Sequence, residues 1–63
     1  MIPEELRALM HETGKMLVHA NHMLERAAGG VAVMHPELIE PTIRLKDRLA
    51  DDLRELAEIS GKL

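Results

Sequence analysis

Hydrophobic positions in the first part of the chain recur with the period of one helix face. Ile2, Leu6, Leu9, Thr13, Met16, Ala20, Met23 and Ala27 follow one another at alternating spacings of four and three, which stacks their side chains on one side of an α-helix. Met10, Leu17 and Leu24 form a second row seven residues apart, turned by about 100° from the Leu9/Met16/Met23 row. The apolar stripe is therefore broad, as suits a helix touching two or more neighbours rather than one partner along a narrow seam. Pro3 suits a first helical position, Glu4 and Glu5 complement the positive end of the helix dipole, and Gly29 suits the left-handed position past the end. A first helix is predicted over residues 4–28.

The segment Gly29-Gly30-Val31-Ala32-Val33-Met34-His35-Pro36 breaks this pattern and is unusually apolar for a surface connection. Val31, Val33 and Met34 are accordingly expected to be covered in the functional assembly. Pro36 and Pro41 both offer helix starts, and Pro41 biases Glu40 away from the α region. The expectation is a connection over 29–40, with a short turn at 36–39, followed by a second helix over 41–60 that Gly61 stops. Its stripe reads Thr42, Leu45, Leu49, Leu53, Leu56, Ser60 and Leu63, with Ala50 and Ala57 alongside. Asp52 falls where a strict heptad wants a hydrophobe, and Leu53 takes over after a stutter.

Two such helices joined by a short connection pack antiparallel. The fold class read from the sequence is all-α, a two-helix hairpin forming a single domain over 1–63 and assembling as a homodimeric four-helix bundle. In shape alone this unit resembles the plasmid-encoded hairpin Rop, whose dimer is a four-helix bundle. No sequence motif is shared, so the likeness implies nothing about function. One row of each stripe can meet its mate within the hairpin and the other is left to a partner. The expected oligomer or partner interface therefore draws on Leu9, Met16 and Met23, on Met10, Leu17 and Leu24, on Val31, Val33 and Met34, and on Leu45, Leu49, Leu53 and Leu56 of the second helix.

Composition sharpens this expectation. With 63 residues, a compact domain hides only about 60% of the surface its unfolded chain exposes, so the core of one chain is marginal. There is no cysteine, which removes disulfides and thiolate zinc sites and suits a reducing, cytoplasmic setting. Phe, Trp and Tyr are also absent, leaving no platform for stacking bases and none of the usual aromatic interface anchors. The net charge is -3 with the signs interspersed, so no basic stripe exists to neutralise phosphates, and nucleic acid is disfavoured as a partner. No apolar run approaches the roughly 20 residues of a membrane span, and the acidic start is unlike a signal peptide.

Chemistry-bearing residues are sparse. All four histidines, His11, His19, His22 and His35, lie in the first 35 residues. His19 and His22 share a face at a spacing that can put two imidazoles on one metal ion, yet no motif supplies the further ligands, unless a symmetric dimer brings two histidines from each chain. Histidine ordinarily titrates near pH 6.5, so the same cluster offers a pH-responsive reading. Protonating His11, His19 and His22 would make the first helix net positive, with Lys15 and the acids Glu12 and Glu25 acting in opposite directions. Gly14 in mid-helix suggests a close approach by another backbone or a kink. On the second helix Glu40/Arg44, Arg48/Asp52 and Arg54/Glu58 stand at four-residue spacing and read as a solvated, ion-paired face.

No catalytic constellation or phosphate loop is present. The sequence therefore points to a non-enzymatic protein–protein interaction module acting as a homo-oligomer, needing no cofactor or small-molecule substrate. A metal- or pH-responsive bundle using His19 and His22 ranks second, and an RNA-binding hairpin dimer third.

Overall fold

A computed structural model describes residues 3–30 and 34–63. They form two α-helices, α1 (Glu4–Ala28) and α2 (Pro36–Lys62), which pack against each other as an antiparallel hairpin. Among the described residues there is no strand. The bounds of α1 match the apolar periodicity. Pro3 stands one position before the helix, with extended backbone angles (φ -56°, ψ 144°), and its carbonyl accepts from the Arg7 N–H at 3.1 Å. At the other end the chain turns at Gly30 (φ 74°), not at Gly29, whose φ of -82° keeps it in the right-handed region. The Gly29 N–H closes on the Glu25 carbonyl at 2.9 Å before the turn, so the left-handed residue falls one place later than the sequence suggests.

α2 corrects the expected start at residue 41: it begins at Pro36 and runs through Pro41 without interruption. His35 precedes it and Pro36 occupies its first turn, where a missing N–H costs nothing. The His35 Nδ1 accepts from the Glu37 N–H at 3.3 Å, and the His35 carbonyl accepts from the Leu38 N–H at 2.9 Å. Pro41 thus comes only one turn after a well-capped start, where its ring removes one intrahelical bond, that to the Glu37 carbonyl. The next residue helps to compensate, since the Thr42 hydroxyl donates to the Leu38 carbonyl at 2.6 Å. At the far end Gly61 does not stop the helix, which continues to Lys62.

The seam follows regular heptads on both helices. On α1 the covered positions are Leu6, Thr13, Ala20 and Ala27 alternating with Met10, Leu17 and Leu24; on α2 they are Thr42, Leu49 and Leu56 alternating with Lys46, Leu53 and Ser60. No stutter is needed, because the α2 seam uses Lys46 where the sequence reading placed Leu45. The Lys46 stem lies beside Leu24, Ile39 and Ile43, while its ammonium reaches Asp47 at 3.7 Å, so the long side chain covers apolar surface and keeps its charge in water. Among the described residues only Leu6, Ala20 and Leu49 are buried outright, at 8%, 5% and 8% exposure.

Gly14 meets no atom within 4 Å of where a Cβ would stand, so no backbone of this chain approaches it. Gly14→Ala is expected to raise stability by about 1 kcal/mol, the helix-propensity difference, and Pro41→Ala to raise it by at least as much by restoring a backbone bond. Both are read as increases in Tm. A fall in Tm for Gly14→Ala would mean that something outside this chain packs on that glycine.

Candidate functional site

The seam takes the middle of each apolar stripe and leaves its edges in water. Leu9, Met16 and Met23 line one edge of α1, and Leu38, Leu45, Asp52 and Ile59 run parallel to them at seven-residue intervals on α2. Met16 is 52% exposed and Leu45 44%, against 8% for Leu49 one turn further on. The two rows lie on the same flank of the hairpin: Met16, Ala20 and Met23 border one hollow with Thr42, Leu45 and Leu49. Met23 and Ala27 border the next with Met34, Leu38 and Thr42. Of the large apolar side chains exposed among the described residues, most belong to this flank. The opposite flank is narrower and more mixed, with Ile39 and Ile43 beside Lys46, Leu24 and Ala28.

The residues expected at an interface therefore divide into three groups. Leu9, Met16, Met23 and Leu45 are exposed on the first flank. Met10, Leu17, Leu24, Met34, Leu53 and Leu56 are half-buried along the seam or beside the connection, and Leu49 is buried. Val31 and Val33 lie outside the described residues. Sequence reasoning missed Leu38 and Ile59, although the spacing 38, 45, 52, 59 is a clean heptad row. Asp52 in the middle of that row hid it.

The surface that stays uncovered is large for the size of the chain. A compact monomer of 7.1 kDa exposes about 4,100 Å², whereas the hairpin exposes 5050 Å². Its radius of gyration is 14.2 Å, against about 10.6 Å for a compact chain of this length, and its extents are 44 × 17 × 14 Å. The excess of about 950 Å² is similar to the roughly 800 Å² that each partner buries in a standard interface. Each leucine or methionine fully withdrawn from water contributes about 1.5 to 3 kcal/mol, so covering this flank would add more than any single contact inside the hairpin.

The charged side chains frame the flank without forming a site of their own. Ion pairs join Glu12 to Lys15 and Asp51 to Arg54, each at 3.6 Å and well exposed. The three pairs expected at four-residue spacing on α2 are not among them; Arg54, for instance, turns back to Asp51 rather than forward to Glu58. His11, His19 and His22 are all exposed, and the His35 ring is engaged as the cap of α2. Among the described residues no three or more His, Asp or Glu side chains converge on a point that could hold a metal ion, and no helix is long and apolar enough to cross a membrane. No family model, curated protein or solved structure matches the chain.

Two measurements follow. Leu49→Ala is expected to destabilise the fold by about 2 to 4 kcal/mol, read by denaturant titration. Stoichiometric zinc is expected to leave Tm unchanged, since binding confined to the folded state would raise it by mass action. A zinc-induced rise that His19→Ala/His22→Ala abolishes would instead make those two residues metal ligands.

Proposed function

We propose that this protein is a non-enzymatic interaction module that acts as a homo-oligomer, most simply a dimer of hairpins forming four helices, and that it binds another protein to regulate, chaperone or inhibit it. The observation that carries this reading is the continuous apolar flank of Leu9, Met16 and Met23 with Leu38 and Leu45, exposed beside a core in which Leu6, Ala20 and Leu49 are the buried members among the described residues. Such a flank exceeds the scattered apolar exposure ordinary for a soluble monomer. A two-fold axis covers it most economically, because one self-complementary patch serves both chains. The absence of cysteine suits a cytoplasmic setting. The absence of aromatic residues and the net charge of -3 weigh against nucleic acid.

Sedimentation equilibrium at micromolar concentration should give a dimer or larger species whose Tm rises with protein concentration. Leu17→Glu or Leu49→Glu should unfold it, since each puts a charge into the seam without a partner. A folded monomer whose melting is independent of concentration would overturn the homo-oligomer reading.

A further inference from the structure

The flank has a direction as well as an area, and its direction is written in the charges along its rim. Outside the Leu9/Met16/Met23 row, α1 carries Glu5, Glu12, His19 and Arg26 at seven-residue intervals, all exposed. The order is acid, acid, histidine, base. Inverted about its midpoint, between Glu12 and His19, this row sets Glu5 against Arg26 and Glu12 against His19. Outside the corresponding row of α2 stand Arg48 and Glu55, also exposed and seven apart, and inversion about their midpoint sets each against the other.

The two midpoints lie at nearly the same height along the hairpin. Met16, Ala20 and Met23 share a hollow with Thr42, Leu45 and Leu49. At about 1.5 Å per residue in opposite directions, this brings the level between Glu12 and His19 to within about one turn of the level between Arg48 and Glu55. A single two-fold axis across the hairpin can therefore satisfy both rims. The same axis sets Leu9 on Met23 and Leu45 on Ile59, apolar on apolar.

We infer that the flank is covered by a second copy of this chain running in the opposite direction, α1 on α1 and α2 on α2, with the two connections at opposite ends of the bundle. This inference rests on the homo-oligomer reading above. The alternative two-fold dimer, with both connections at one end, lays α1 on α2 of the second copy. It sets Glu12 against Glu55, two like charges that destabilise and misdirect pairing, and gives His19 an arginine in place of a carboxylate, leaving only Glu5 and Lys62 complementary. The apolar rows allow either arrangement; the charges choose. In the chosen one Glu12 exchanges its exposed contact with Lys15, at 3.6 Å, for a histidine across the interface. Asp52 comes to the level of the axis and so meets its own counterpart, a like-charge contact offset by Arg48 of the second copy within about a turn. The two copies of His19 then stand about 10 Å apart along the bundle, too far to share one metal ion.

The chain has no cysteine, so a single Ala28→Cys variant accepts one spin label per chain next to the connection. Pulsed electron–electron resonance should give a label separation of about 40 Å, twice the axial distance from Ala28 to the axis at 1.5 Å per residue. A separation under about 20 Å, that of diagonally opposed helices at one level, would overturn the orientation while leaving the homo-oligomer intact. Absence of any dipolar coupling in a sample that sediments as monomer would overturn both.

Charge reversal reads the same choice by sign. Glu55→Arg should weaken the dimer by about fivefold to tenfold, as for loss and reversal of exposed ion pairs, and adding Arg48→Glu should restore it. Tighter association of Glu55→Arg alone would mean that Glu55 had faced Glu12, and would overturn the proposal. Met16→Asp should dissociate the dimer and Ile43→Asp, on the other flank, should not. The reverse outcome would assign the interface to the wrong flank and overturn the proposal as well.

Discussion

The antiparallel seam between α1 and α2 is the contact on which the rest of the molecule depends. Most helical stability in proteins comes from packing an amphipathic face rather than from propensity, and here each helix has the other to pack against. What packs here is modest: Leu6, Ala20 and Leu49 are covered, and a ladder of half-covered leucines, alanines and threonines lies between them. The small Ala20 of α1 lies beside Leu45 and Leu49 of α2, and Ala27 beside Ile39 and Ile43, which lets two helices without aromatic side chains interlock. Because the seam takes the central row of each stripe, it also decides which rows stay outside. The flank of Leu9, Met16 and Met23 is a by-product of where the two helices touch.

Much of this was legible in the residues, and the failures have identifiable physical causes. The first helix could be read to its last residue because periodicity, first-turn acids and a closing glycine all agree. The second could not, because the local rule for the residue before proline competes with a capped start at His35 and Pro36 and with the burial available along the seam. At residue 41 packing and capping prevail. Leu45 and Lys46 were exchanged for a related reason: a hydrophobicity pattern prefers leucine inside, whereas a lysine can cover a seam with its stem and leave Leu45 at the edge. The division of α1 into a covered and an uncovered row was foreseen. Which row would be which was not, since Met10/Leu17/Leu24 and Leu9/Met16/Met23 have nearly the same chemistry and differ only in how α2 is rotated against them.

The two flanks are not equivalent, and the inequality is itself informative. Large flexible side chains gather on one, while the other mixes Ile39 and Ile43 with alanines and the Lys46 stem. A chain selected only for solubility would have little reason to keep Leu9, Met16, Met23, Leu38 and Leu45 in register on one side. Asp52 in the midst of them lowers the apolar gain of covering that side, and in the proposed dimer a charge so placed would act more on alignment than on strength, as polar groups within helical interfaces do where they specify register.

So small a core, with Leu6, Ala20 and Leu49 alone buried among the described residues, also ties the survival of the folded chain to its surroundings. Whatever covers the apolar flank adds its binding free energy to folding by mass action, so the folded fraction becomes a function of how much of that cover is present. Below the concentration at which the flank is occupied, the helices open more often and present cleavable backbone to proteases, whose action follows the population of the open form. Were that cover the proposed second copy, a sparsely expressed chain would be cleared quickly, a plentiful one would persist, and the level of the protein would gain a threshold that requires no dedicated regulator.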